Sequence, residues 1–328
     1  MKKFLCLGIE STAHTFGIGI VAGHGKVLAN VKDAFTTEHG GLIPAQVADH
    51  HYGCAPEILK KALETAKVKL EDINLIAFSQ GPGIGTALNV GAITARSLSQ
   101  KLKVPLVGVN HCIAHLEIGK LRTKATDPVL LYASGANTQV IARQEGKYRI
   151  LGESLDIGVG NFLDVFARDI DLGFPGGPKV ERLALKGKKY IELPYVVKGM
   201  DVSFGGILTN IRQKAHSKKF SKEDLCYSAQ ETVFAMLIEI SERAMAHAGK
   251  KELLLGGGVA CNKRLQEMAR IMCKERGAKS FCPENEFLVD NGAMIAWNGI
   301  VSYRKKLSTP LKKSEIRPYL RLEDNLFG

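Results

Sequence analysis

One arrangement occurs twice in this chain, and it constrains the fold more than any single motif does. "FLCLGIES" (4–11) is a short apolar run that closes on an acid and a hydroxyl, and "TFGIGIVAGHGKVLANVKDAF" (15–35) reads as two strands joined at the glycine turn "AGHGK". A further strand, "LIAFSQ" (75–80), precedes "GPGIGTALNVGAITARSLSQKL" (81–102), where glycines give way to an apolar helical period. The pattern then restarts after the linker "TKATDP" (123–128). "VLLYASGANTQVIAR" (129–143) is strand, turn and strand, "GKYRILGESL" (146–155) adds a third strand, and "ELLLGGGVACNKRLQEMARIMCKERG" (252–277) is strand, triple glycine and helix. The helical "LCYSAQETVFAMLIEISERAMAHAG" (225–249) fits between the halves of the second copy.

A duplicated α/β unit accounts for this better than one Rossmann sheet does. The expected lobes are 1–125, to which the C-terminal helix and tail are free to return, and 126–328. Two such lobes are expected to close on a nucleotide. Each lobe's first turn, "ESTAHT" and "SGANT", would hold phosphate through backbone N–H groups, and "LLLGGGVACN" would pass close to the adenine.

"VNHCIAHLEIG" (109–119) places His111 and His115 at i and i+4, one above the other on a helix face, where two imidazoles can share a metal ion. The spacing is not that of a metalloprotease, because HExxH needs a glutamate where Cys112 stands. An actin-fold small-molecule kinase would not need the histidine pair, and a nucleotide-binding scaffold would not need intact catalytic chemistry. The seven cysteines are scattered and contain no CxxC, which excludes a disulfide framework and a zinc ribbon. No run reaches the roughly 18 apolar residues of a membrane span, and "MKKFLCLGIE" is too short for a signal peptide, so a cytoplasmic protein is expected.

Basic residues exceed acidic ones by 12, and half of that excess lies between Lys179 and Asp224, where eleven basic residues face five acidic ones. The tail from Tyr303 to Gly328 adds a net four. Clustered positive charge suits a polyanion, and nucleic acid is the usual one.

In combination and in order, "LGIESTAHTFGIGIV", "GGLIPAQVADHH", "GPGIGTALNVGAITARSLS", "NHCIAHLEIG", "SGANTQV", "FPGGPKVERLA", "DVSFGGILT", "LLGGGVACNKRL" and "VDNGAMIAW" resemble the threonylcarbamoyltransferases of tRNA modification. The branch they are similar to is the archaeal and eukaryotic one that works in the KEOPS complex, formerly called O-sialoglycoprotein endopeptidases. The resemblance implies the duplicated fold of actin, Hsp70 and sugar kinases. It implies one iron or zinc ion on His111, His115, Tyr132 and Asp290, a donor set that leans toward iron through the phenol oxygen. It further implies adenine-nucleotide contacts at Tyr132, Ala133, Ser134, Gly135, Ala136, Asp164, Gly177, Glu181 and Asn262. Glu10 is expected in a supporting catalytic role. The implied reaction moves a threonylcarbamoyl group from its adenylate to N6 of the adenosine 3′ of the anticodon. The implied partners are tRNA, a separate kinase-like ATPase and a small dimerising subunit, with no membrane. Phe162, Val165 and a glycine of "SFGGILT" depart from the residues usual in that family.

Overall fold

The computed structural model describes residues 4–37 and 42–322. The lysines at 2 and 3, the glycines at 40 and 41 of "GGLIPAQVADHH", and residues 323–328 of the basic tail lie outside the described residues. In chain order the elements are β1 (Leu5–Glu10), β2 (Thr15–Ala22), β3 (Val27–Ala34), α1 (Pro44–Ala66), β4 (Leu75–Gly81), α2 (Gly85–Leu102), β5 (Leu106–Asn110) and α3 (His111–Arg122). There follow β6 (Val129–Ala133), β7 (Thr138–Gln144), β8 (Lys147–Glu153), α4 (Val159–Asp169), α5 (Gly177–Ala184), β9 (Val197–Lys198), β10 (Asp201–Val202), α6 (Gly205–His216) and α7 (Lys222–His247). The chain continues with β11 (Glu252–Gly256), α8 (Lys263–Glu275), β12 (Lys279–Phe281), α9 (Asn285–Leu288) and α10 (Gly292–Arg304).

The chain divides into two compact units, Met1–Arg122 with Val289–Gly328, and Thr123–Leu288. The first break therefore falls ahead of residue 125, and α10 with the tail belongs to the first unit. Each unit holds a five-stranded sheet, ordered β3-β2-β1-β4-β5 in one and β8-β7-β6-β11-β12 in the other. In both, an antiparallel three-strand meander runs into two parallel strands, so the two orders are the same topology written twice. The right-hand strands are parallel because a helix, α2 or α8, carries the chain back between them. Among the described residues no helix is long and apolar enough to cross a membrane.

In the first unit the two-residue strand period sorts side chains to two faces. Leu5, Leu7 and Ile9 of β1 and Phe16, Ile18 and Ile20 of β2 join a core with Ala55, Ile58 and Ala62 of α1 and Ala92 and Ala95 of α2. The intervening residues meet α10. A Cβ at Gly8 would lie 2.1 Å from the Ala296 nitrogen, and one at Gly19 would lie 2.1 Å from the Ala293 nitrogen. Only hydrogen atoms fit there, so the α10 backbone rests directly on the sheet. That contact sets where α10 begins, and with it where Asp290 sits.

α1 has no counterpart in the periodicity argument. Pro44 occupies its first turn, which tolerates proline, but Pro56 lies inside it. The second unit's core gathers Val129, Leu131 and Ala133 of β6 with residues of α4 to α8. The unusual Phe162 is fully buried there, 6.4 Å from the Phe166 ring and 6.0 Å from the Phe204 ring. Gly205 donates its N–H to Asp156 Oδ2 at 2.8 Å, and a Cβ on it would meet that oxygen at 3.0 Å.

Candidate functional site

α3 starts at His111 because Asn110 caps it, its Oδ1 accepting the N–H groups of Cys112 at 2.9 Å and Ile113 at 3.2 Å. The cap puts His111 in the first turn and His115 one turn on, with ring centroids 4.8 Å apart. Asn291 caps α10 in the same way through the Met294 N–H at 2.9 Å, and it holds the preceding Asp290 at the helix entry. His111 Nε2 and His115 Nε2 lie 3.4 and 3.3 Å from one oxygen, Asp290 Oδ1. The three donor atoms lie within 4.8 Å of one another. Two donors about 2.1 Å from one ion at a tetrahedral angle stand about 3.4 Å apart, so the spacing fits a shared first-row metal.

Glu10 ends β1 on the face toward α10 and is fully buried. It accepts from His111 Nδ1 at 2.9 Å, from the Thr12 N–H at 2.6 Å and from the Thr12 hydroxyl at 2.5 Å. A carboxylate on Nδ1 leaves Nε2 as the lone-pair nitrogen, which is the tautomer a metal requires. Glu10 thus acts through His111 and positions it. Thr12, which sequence reasoning missed, completes this shell with its hydroxyl 3.2 Å from His111 Nδ1.

Burial disfavours an imidazolium at His111, but the Glu10 and Asp290 carboxylates outweigh it and push the pKa up to about 10. At His115 burial wins and the pKa falls. Burial alone would raise the Asp290 carboxyl, yet the two imidazoles hold it well below the usual carboxylate range. In the absence of an ion, a proton on His111 does the electrostatic work of a cation. Burial, followed by the charges of Asp290 and Glu10, pushes the Cys112 thiol up to about 12, so it cannot stand in for a protease's glutamate base. Tyr132, the fourth ligand the resemblance implies, is buried on β6 of the second unit.

In the first turn two of the N–H groups are already engaged within the protein. Ser11 N–H donates to Ser79 Oγ at 3.1 Å and Thr12 N–H to Glu10, because this turn is built to hold Glu10. The second turn differs. Ser134 is internally bonded to Asn137, with its N–H 2.9 Å and its hydroxyl 3.1 Å from the Asn137 carbonyl, while Gly135 and Ala136 are exposed. Among the described residues the Gly135 and Ala136 N–H groups have no protein acceptor.

From that turn the other expected nucleotide residues follow one another around a ring within the second unit. Gly160 N–H donates to the Ser134 carbonyl at 3.0 Å, tying the turn to α4. Asp164 on α4 accepts the Gly176 N–H at 2.7 Å, which delivers Gly177 at the head of α5. Glu181 on α5 accepts the Lys263 N–H at 2.8 Å. Asn262 caps α8 through Arg264 N–H at 2.9 Å, and its Nδ2 donates to Gln230 Oε1 at 2.8 Å. Gly257 then closes the ring, since a Cβ there would lie 2.3 Å from the Ala133 carbonyl at the end of β6. Asn262 is therefore a structural cap first, with its oxygen and one of its amide hydrogens already engaged.

A family model described as tRNA N6-adenosine threonylcarbamoyltransferase matches residues 26–297. A protein of that name from Thermococcus kodakarensis is 55% identical over 320 residues, which is 98% of each chain. The chain belongs to this family. A Methanosarcina mazei relative, named a probable bifunctional tRNA threonylcarbamoyladenosine biosynthesis protein, is 50% identical over 327 residues, yet this chain spans only 59% of it. Among solved structures, HypF from Thermococcus kodakarensis superposes with a TM-score of 0.66 at 16% identity, over 93% of this chain and 48% of that one. That likeness is one of fold: the duplicated α/β architecture expected for this family.

Proposed function

We propose that this chain transfers a threonylcarbamoyl group from threonylcarbamoyl adenylate to N6 of the adenosine 3′ of the anticodon in tRNA, assisted by one iron or zinc ion. Membership of the family carries the transfer itself. The observation that carries the metal is the convergence of His111, His115 and Asp290 on one point, with Glu10 fixing the His111 tautomer. His111, His115 and Asp290 would hold the ion, which when bound supplies Lewis acidity toward a carbonyl oxygen and orients the donor.

The remaining chemistry falls to the chain's own groups. The reaction forms a bond from the amine nitrogen to the carbamoyl carbon and breaks the bond from that carbon to the phosphate oxygen. AMP leaves with the electron pair, and the amine gives up a proton. The Gly135 and Ala136 N–H groups suit the departing phosphate, as oriented backbone donors do. Asp164 and Glu181 are carboxylates of the kind that accept from ribose hydroxyls, and Gly177 leaves room beside them. Gly256, Gly257 and Gly258 give a flat base access to backbone beside Asn262.

The acceptor base lies in a single-stranded loop, which can be splayed into a site without melting a duplex. We further place the chain in the cytoplasm, in a KEOPS-type assembly with a separate kinase-like ATPase and a small dimerising subunit. The extra length of the bifunctional Methanosarcina relative supports a companion domain. The test is threonylcarbamoyl transfer from the adenylate to tRNA by the purified chain with those subunits. Transfer should be abolished in His111→Ala and after metal stripping, and restored in the stripped wild type by added iron or zinc. A fully metal-loaded His111→Ala/His115→Ala protein would falsify the assignment.

A further inference from the structure

The metal group and the nucleotide residues offer no grip on a single-stranded loop, and half of the excess positive charge lies between Lys179 and Asp224. We propose that the strap 185–198 on the second unit is a stacking platform for single-stranded RNA. The proposal rests on the tRNA-directed function.

The strap leaves α5 and lies along α7, which holds it at several successive points. Asp224 Oδ1 accepts the Lys188 and Lys189 N–H groups at 2.8 and 2.9 Å, Ser228 Oγ accepts the Ile191 N–H at 2.7 Å, and Arg243 Nη1 donates to the Gly199 carbonyl at 2.6 Å. Ile191 and Leu193 turn inward and are buried. On either side of that buried pair, Tyr190 and Tyr195 remain 50% and 49% exposed. Their hydroxyls are tethered to the helix below, Tyr190 to Thr232 Oγ1 at 2.9 Å and Tyr195 to Glu239 Oε2 at 2.5 Å. A tyrosine whose hydroxyl is bonded to the helix beneath it is anchored at its tip. What it presents is a ring that cannot swing away.

Lys186, Lys188, Lys189 and Lys198 flank these rings and are exposed, against Glu192 as the strap's one acid. The Glu239 charge is also met by Arg243. Two fixed aromatic planes among ammonium groups match unpaired bases on a phosphodiester backbone, with stacking from the rings and charge from the lysines. An acidic protein surface would use the lysines and leave the half-exposed rings idle, so RNA is the occupant the whole surface fits.

The experiment measures affinity of the full chain for a labelled RNA stem with an unpaired anticodon-like loop, and for a fully paired RNA of equal length. Tyr190→Ala and Tyr195→Ala should each weaken the loop RNA roughly 5- to 100-fold and the paired RNA less than about 2-fold. Phenylalanine at either position keeps the ring and should restore most of the affinity. Replacing Lys186, Lys188 and Lys189 by glutamine should flatten the plot of log affinity against log salt by about 2, at roughly 0.7 per lost phosphate contact. Equal affinities for the two RNAs, unchanged binding in the alanine variants, or no RNA binding by the wild type would each overturn the platform. Intact RNA binding with failed assembly of the lysine variant would hand the strap to a protein partner instead. Metal content and threonylcarbamoyl transfer by the wild type with its partner subunits are read in parallel. Transfer that proceeds in the wild type and in every strap variant sinks only the platform, whereas no transfer by the wild type sinks the tRNA-directed function.

Discussion

Replacing Glu10 by glutamine changes one oxygen into an amide nitrogen and tests how the metal group is held. The amide oxygen can keep both Thr12 bonds, at 2.6 and 2.5 Å, so the turn has no reason to move. The amide nitrogen then faces His111 Nδ1 across 2.9 Å, donor against donor. The ring escapes by giving up the Nδ1 proton and keeping the one on Nε2, the nitrogen directed at Asp290, where it blocks a ligand position. Loss of an outer-shell carboxylate on a ligating histidine typically costs about 10- to 100-fold in metal affinity, or about 1.4–2.7 kcal/mol. Competitive chelator titration of zinc and of ferrous iron into metal-free protein measures it, with circular dichroism as the control for fold. A Glu10→Gln protein of unchanged fold that binds metal as tightly as the wild type would refute the positioning role, and with it the Nε2 assignment.

Zinc added to metal-free protein near pH 7 should release about one proton, because His111, with its pKa raised to about 10, must lose the proton that balances Glu10 and Asp290. Calorimetry in two buffers of different ionisation enthalpy reads this directly, and a buffer-independent heat would contradict it. The same raised pKa stabilises the metal-free protein fully below the unfolded histidine value of about 6.5, and that contribution fades as pH rises through about 10, so its thermal midpoint should fall across this window and fall less in Glu10→Gln. Asn262→Ala removes the α8 cap and strands Gln230, and should cost roughly 1–2 kcal/mol in urea unfolding. If the remaining amide hydrogen also meets the base, adenine-nucleotide affinity should drop by roughly 1–3 kcal/mol as well, and unchanged affinity would confine Asn262 to its cap. Gly257→Ala combines a φ of 89° and ψ of 159° with a Cβ placed 2.3 Å from the Ala133 carbonyl. The backbone strain alone costs about 1–3 kcal/mol. Soluble, nucleotide-binding Gly257→Ala protein of wild-type stability would show that the loop approaches β6 less closely than described.

Local patterns carried much of this molecule. Strand alternation, the glycine turns and the helical runs after them were enough to read a duplicated α/β unit, because each depends on residues close in sequence. The histidine pair was legible for the same reason: four residues on a capped helix define one face. α1 was not legible, since Pro56 reads as a breaker and only packing on β2, β3 and α2 keeps the helix whole. Asn262 could be found beside the triple glycine, but its partner Gln230 lies 32 residues away and nothing local names it.

What the sequence alone determined was therefore the inventory: two copies of one sheet, an HxxxH pair, a glycine loop and an excess of lysine. The tertiary structure decided which distant residues complete them. Asp290 is 175 residues from His115, and it arrives because Gly8 and Gly19 let the α10 backbone lie on the first sheet. Glu10 is 101 residues from His111, and it reaches the ring because an even step along β1 puts it on the α10 face. A period of 2 or 3.6 residues is a property of the local backbone. The distance between a strand end and a helix start is a property of how closely two backbones can pack.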